Sequence, residues 1–226
     1  MIDTRCVILF VRLPEPGKVK SRLAQDVDGA LVQHLYECMV LDAIDMLKKA
    51  KAPFRICFDP PAAQERVREW LGQAYSYMPQ TGEDLGVRME QAFIQVFSEG
   101  VDDALLIGSD IPSLTAAIID AAFRSLSVCD AVIGPAKDGG YYLIGFKKRT
   151  FERGIFHAMT WSTKSVFCET LKKLERALLT VHQLPELRDI DTREDLEALL
   201  SDAQHMEPGA SSRTLFFLGK HRQELL

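Results

Sequence analysis

The sequence predicts an α/β fold, a three-layer α/β/α arrangement around a mostly parallel central sheet. Short apolar runs, too brief for helices, stand at Cys6 to Val11 (CVILFV) and Ala104 to Ile107, and Phe54 to Phe58, apolar but for Arg55, reads as another strand. Continuous apolar runs of that length suit strands buried on both faces, and stretches at helical spacing separate them. Thirdly, two of these strands end in polar segments suited to ligands: the basic loop after Val11, and Gly108-Ser109-Asp110 after Ile107. Ligands of open α/β sheets bind at the carboxyl ends of the strands.

The elements can be taken in order. The strand Cys6 to Val11 runs into the loop Arg12 to Arg22, where two prolines and Gly17 exclude a helix and Lys18, Lys20 and Arg22 project together. A strand, a Gly-containing basic loop and a helix in that order are expected to form an anion cradle. The glycine spacing is wrong for a Walker A loop. Three like charges close together repel, so this loop is expected to be mobile until an anion arrives. From Ala30 to Lys49 apolar residues recur at helical spacing, up to a Lys-rich turn before Pro53. Asp59-Pro60-Pro61 breaks the next strand, Phe54 to Phe58, and Ala62 to Leu71 reads as a short helix. Ser76 to Met78 is a short strand, and a flexible loop with Gly82 and Gly86 leads into a helix through Phe97.

After the Ala104 strand, Asp110 has two readings. Its carboxylate can take one position on a hard divalent cation such as Mg²⁺, or it merely starts the turn before Pro112. A helix from Thr115 to Leu126, a strand from Ala131 to Gly134 and a strand from Tyr141 to Phe146 come next. Between the last two, Asp138-Gly139-Gly140 marks either a tight backbone approach or a simple β-turn. His157 to Thr163 is a loop, with Ser162 or Thr163 capping a helix through Leu174, and Ala177 to Leu184 is a last strand. Thr192 caps a helix starting near Arg193, with Asp195 in its first turn. The tail from Ser201 to Leu226 is expected to dock through Phe216, Phe217 and Leu218.

Composition bounds the function. With 47% hydrophobic and 26% charged residues and a net charge of -5, the chain is an ordinary globular protein and a poor general nucleic-acid binder. No run is long enough to span a membrane, and Asp3 and Arg5 precede only six apolar residues, which is not a signal-peptide pattern. Five cysteines, odd in number and without C-x-x-C pairing, read as reduced, mostly buried thiols of a cytoplasmic protein. Without repeats or linkers, residues 1–226 are expected to form one domain.

Three stretches together carry a resemblance: FVRLPEPGKVKSRL (Phe10 to Leu23), GSDIPSL (Gly108 to Leu114) and GPAKDGGYYLIG (Gly134 to Gly145), supported by QTGEDLGVRM (Gln80 to Met89) and DIDTREDL (Asp189 to Leu196). The set resembles a bacterial family of small glycosyltransferases, also described as radical-SAM/selenodomain-associated transferases. That family belongs to the nucleotide-diphospho-sugar transferase superfamily of Rossmann-like GT-A fold, related to the phospholactate and molybdenum-cofactor nucleotidyltransferases. The resemblance implies a nucleotide whose phosphates meet Arg12, Gly17, Lys18, Lys20 and Arg22, with Ser109 beside them. It implies Mg²⁺ or Mn²⁺ at Asp110 and a second acidic position at Asp189 and Asp191, with Asp191 serving a second metal in the nucleotidyltransferase reading. Gln80, Gly82 and Asp84 fall near the base or ribose, and Asp138, Gly139 and Gly140 on the sugar or acceptor side. Many metal-dependent relatives carry Asp-x-Asp at the metal, whereas this chain has Ser109-Asp110-Ile111, closer to the nucleotidyltransferase pattern.

The leading expectation is therefore a metal-dependent glycosyltransferase using a nucleotide-diphospho-sugar, with Asp110, Lys20 and, as general base, Asp138 or another nearby carboxylate carrying the chemistry and a small molecule as acceptor. A nucleotidyltransferase joining an NTP to a small phosphorylated acceptor, with release of pyrophosphate, is the alternative. A non-catalytic nucleotide-binding protein is the third reading.

Overall fold

The structure is a computed structural model that describes residues 4–15, 17–203 and 212–225. Asp3, on which the reading of the N-terminus partly rests, and the middle of the C-terminal tail lie outside those residues. Seven strands form a single sheet: β1 (Arg5–Arg12), β2 (Phe54–Asp59), β3 (Ser76–Pro79), β4 (Asp103–Ile107), β5 (Ala131–Pro135), β6 (Tyr141–Lys147) and β7 (Val181–Gln183). Their order is β3-β2-β1-β4-β6-β5-β7, and only β6 runs against its neighbours. The Asp138-Gly139-Gly140 turn explains that exception, because a connection this short can join only antiparallel strands.

Period-2 alternation sends successive side chains of the buried strands into two cores. Val7, Leu9 and Val11 of β1 face one side, with α1 (Gly29–Ala50), α2 (Gln64–Leu71), α4 (Ala116–Val128), α6 (Arg193–Ala203) and α7 (Arg213–Lys220). Cys6 and Ile8 face the other, against α3 (Leu85–Ser98) and α5 (Val166–Arg176). Phe93, Phe146, Phe151 and Phe156 interlock in this second core. The three-layer architecture read from the sequence is the one observed.

Local signals set the element ends. Asp28 caps α1 by accepting from the backbone N–H groups of Ala30 and Leu31. Asp42 of α1 in turn accepts from the backbone N–H of Arg213 and of Thr214 and from the Ser212 hydroxyl, which holds the start of α7. Leu218 of the tail is buried as expected, but Phe216 is 78% exposed and docks nothing. Three further expectations are corrected. Ala177 to Thr180 is not strand, because Ala177 ends α5, Leu178 adopts φ +58°, and β7 keeps only three residues. The residue before α5 is Ser165 rather than Ser162 or Thr163, and its side chain makes no capping bond. Of the cysteines, Cys6 and Cys57 are buried, Cys38 and Cys129 are half-buried and Cys168 is exposed.

The chain runs β1 to β2 to β3 on one side of β1, then returns to place β4 on the other. The gap between the ends of β1 and β4 is thus a switch point in strand order, where a crevice opens outside the sheet.

Candidate active site

A cleft of about 840 Å³ opens at that switch point. At its centre the Lys20 ammonium lies 2.5 Å from Asp110 Oδ2 and 2.7 Å from Asp191 Oδ1. Asp110 follows β4, Asp191 precedes α6, and Lys20 sits in the loop after β1, so three remote segments converge on one point. Ile190 N–H donates to the Asp110 carbonyl at 3.2 Å and ties the two acidic segments together. The Lys20 side chain is only 6% exposed. Burial by itself lowers the pKa of its ammonium, but Asp110 and Asp191 outweigh that and raise it. Lys20 also holds φ +48°, a left-handed conformation that costs a non-glycine residue about 1–2 kcal/mol. The ion pairs offset that strain.

The remaining loop cations are paired too, which overturns the reason for expecting a mobile loop. Lys18 pairs with Glu15 at 2.8 Å, and Arg22 lies 3.9 Å from Asp191. Val19 and Leu23, on either side of Lys20, are buried in the core and pin the segment.

A second cluster closes the β2 side. Asp59, at the end of β2, accepts from Arg12 Nε through Oδ2 and from Arg88 through Oδ1, both at 3.0 Å. Gln80 spends its amide N–H donors on the Val11 and Cys57 carbonyls, at 3.3 and 2.9 Å, and turns its other face to the cleft. Tyr36 reaches from α1 between the two halves. Its hydroxyl accepts from the Arg12 N–H at 2.9 Å and shares a hydrogen bond with Ser109 Oγ at 3.2 Å. Burial pushes the Tyr36 pKa up, so it serves as a neutral strut.

On the far side Asp138 and Asp189 approach each other, because Ala136 and Leu187 form an isolated parallel bridge. Burial first, then the Asp138, Asp191 and Asp110 carboxylates, push Asp189 up to about 6. Asp138 Oδ1 accepts from Gly140 N–H at 2.8 Å.

The cleft gathers most of the residues singled out from sequence: Arg12, Lys20, Arg22, Gln80, Asp84, Ser109, Asp110, Asp138, Gly140 and Asp191 all line it. Gly17, Lys18, Gly82 and Gly139 do not. The tight approach expected at the paired glycines is made to the protein itself, since a methyl group on Gly139 (φ +93°) would overlap the Lys164 backbone. Asp84 uses Oδ1 to cap α3, accepting from Val87 N–H at 2.9 Å. Sequence reasoning missed Tyr36, Asp59, Arg88 and Trp161. Asp59 alone had a visible signal, a carboxylate ending a buried strand as Asp110 does.

A family model described as "Uncharacterized protein conserved in bacteria (DUF2064)" matches residues 41–163, just over half of the chain. The chain belongs to the DUF2064 family. A Desulfovibrio desulfuricans G20 protein, provisionally called a nucleotide-diphospho-sugar transferase, is 37% identical to this DUF2064 chain. Its crystal structure superposes with a TM-score of 0.94 over 99% of this chain and 97% of that one. The fold is that of the nucleotidyl and nucleotide-sugar transferases. A cytidylyltransferase from Leptospira borgpetersenii serovar Hardjo-bovis (strain JB197) shares it at 14% identity, with a TM-score of 0.59 over 98% and 94% of the two chains. So does Rv0371c from Mycobacterium tuberculosis H37Rv, solved in complex with manganese, at 14% identity and a TM-score of 0.55 over 89% and 100%. No curated protein matches the sequence. No helix among the described residues is long and apolar enough to cross a membrane.

Proposed function

We propose that this DUF2064 protein is a transferase that uses a nucleotide-diphospho-sugar and a divalent cation, Mg²⁺ or Mn²⁺, held by Asp110 and Asp191. The observation that carries this reading is the convergence of both carboxylates on one cationic atom, Lys20 Nζ, at 2.5 and 2.7 Å. Two carboxylates with phosphate oxygens and water are a usual Mg²⁺ ligand set. Among the described residues no three metal-ligating side chains converge, so phosphate and water must complete the shell. The cation, when bound, neutralises charge developing on the departing diphosphate.

The residues of the chain supply the rest. Lys20, released from the carboxylates, turns to the phosphates together with Arg12 and Arg22, and these positive groups stabilise the leaving nucleoside diphosphate. Ser109 is oriented by Tyr36 toward the same end of the cleft. Gln80 and Asp84 border the nucleoside. Asp138 takes the proton from the acceptor hydroxyl as its oxygen bonds to the anomeric carbon and the bond to the diphosphate breaks.

One observation favours a second reading. Asp110 has no partner two residues away, and its companion Asp191 comes from a distant segment, which suits nucleotidyl transfer from an NTP. Product analysis tests both readings. Nucleoside diphosphate released from a nucleotide sugar supports glycosyl transfer, and pyrophosphate released from an NTP supports nucleotidyl transfer. Nucleotide binding with neither product would leave a non-catalytic binder.

A further inference from the structure

The cations that line the cleft all lie on one side of it, where the carboxylates of Asp59, Glu83 and Asp84 accompany them. Its four cations, Arg12, Lys20, Arg22 and Arg88, come from the β1 end, the loop after it and α3. From Leu106 onward in the chain the residues lining the cleft include no lysine, arginine or histidine. This half, over β4, β6 and β5, carries Asp110, Asp138, Asp189 and Asp191 instead. Lys137 and Lys164, on the flanking turns, are exposed and do not line it. The aromatic residues Tyr141 and Trp161 also line it, together with Ser162 and Thr163. Trp161 is fixed against α3 by Gly86, where a Cβ would stand 2.7 Å from its ring.

We infer that the acceptor bound in this half is an unphosphorylated polyhydroxy compound, neutral or carrying an amine. The inference rests on the proposed function in one respect, that the cationic half takes the nucleotide. Ionised carboxylates only accept hydrogen bonds, so Asp138 and Asp189 suit hydroxyl or ammonium donors. With a nucleotide and its cation in place, Asp110 and Asp191 are engaged and Asp138 and Asp189 face the acceptor. With Lys20, Arg22 and the proposed cation engaged by the donor's phosphates, a phosphate monoester beside Asp138 and Asp189 would meet like charge, a juxtaposition that interfaces use to reject partners. Tyr141 and Trp161 give the C–H faces of a sugar or polyol an apolar surface, as small-molecule sites commonly do around a few placed polar groups.

Saturation-transfer NMR on the full chain with Mg²⁺ and, in turn, CDP, UDP, GDP and dTDP tests this. The probes are glucose, glucosamine, glucose 6-phosphate and glycerol 3-phosphate at equal concentration. Saturation of glucose or glucosamine is expected, at least about fivefold above either phosphate ester. Asp138→Asn should reduce the glucosamine signal more than the glucose signal. An ester signal equal to or above that of the sugars overturns the inference, and so does the absence of any signal from the two unphosphorylated probes. The nucleotide's own saturation signal in the same samples reports separately on the proposed function, so the two can fail independently.

Discussion

Lys20 and Asp110, 90 residues apart in sequence, meet at 2.5 Å and place an ammonium where a metal ion is proposed to sit. The ammonium thus offsets part of the negative charge of Asp110 and Asp191. A divalent cation held by Asp110 and Asp191 would take the place of this ammonium, which would then be available to phosphate.

Lys20→Ala should therefore move two affinities in opposite directions. Nucleoside diphosphate binding is expected to weaken about tenfold or more, while binding of the bare nucleoside hardly changes. Mn²⁺ alone should bind more tightly, because nothing competes for Asp110 and Asp191. Calorimetry with CDP or UDP, with the matching nucleoside and with Mn²⁺ separates these effects. Equal losses for diphosphate and nucleoside would remove Lys20 from the phosphate site.

Asp59 holds Arg12 and Arg88 through its two oxygens and is itself buried. Asp59→Ala leaves Arg88, the less exposed guanidinium, without its carboxylate and is expected to cost about 2 kcal/mol in urea unfolding. Nucleotide affinity should fall as well, since both guanidinium groups lose their orientation. Unchanged stability would show the cluster to be solvated.

How much of this was legible in the sequence depends on the range of the interaction. β1 and β4 were readable because a buried parallel strand is a continuous apolar run, and Asp110 stood out as a carboxylate where such a run ends, although the residues alone suited a turn equally well. Asp59 occupies the same kind of place, yet the two prolines after it drew the reading toward a strand break. Tyr36 lies on the apolar face of α1 and is indistinguishable from core until its hydroxyl is seen against Ser109. Ala177 to Thr180 reads as strand by composition, but α5 reaches Arg176 and Leu178 turns back at φ +58°, leaving its side chain 89% exposed. Local pattern predicts elements. It does not show which remote side chains meet.

Gly139→Ala should destabilise the fold by about 3 kcal/mol, combining a disfavoured φ with overlap on the Lys164 backbone. The strain falls between the turn before β6 and the loop carrying Trp161. Acceptor binding should weaken more than nucleotide binding. Equilibrium unfolding gives the first effect, and the saturation-transfer comparison gives the second. A neutral result would show that the turn can relax.

Asp195 supplies a pH dependence whose sign can be worked out. Burial alone raises its carboxyl, but Arg188 and Thr192 outweigh that and hold it below the usual carboxylate range. A carboxyl depressed in the folded state contributes stability that is present above its unfolded pKa of about 3.9 and is lost as the pH falls through the folded value. Asp195→Asn should thus cost about 1 kcal/mol at pH 7 and progressively less below pH 4. Urea titrations of both proteins at pH 7 and pH 3 measure the gap. A gap that widens in acid would contradict the assignment.

Asp110→Asn tests the metal site most directly. The substitution keeps the size and one oxygen of the side chain but removes the charge that a cation requires. Lys20 retains Asp191 at 2.7 Å, so its buried ammonium is not stranded. Asp110 itself is 33% exposed, which limits the loss of stability to about 1 kcal/mol. The fold should therefore survive, with a circular dichroism spectrum like the parent's. In the parent, Mn²⁺ is expected to strengthen nucleoside diphosphate binding because a cation held by Asp110 would offset the repulsion between that carboxylate and the diphosphate. In Asp110→Asn that strengthening should vanish, while the metal-independent affinity, set by Arg12, Lys20 and Arg22, changes little. Calorimetric titration of both proteins with and without Mn²⁺ gives the four affinities needed. If the variant keeps the parent's metal dependence, Asp110 is a turn residue that pairs with Lys20, and the cation belongs with Asp138, Asp189 or Asp191.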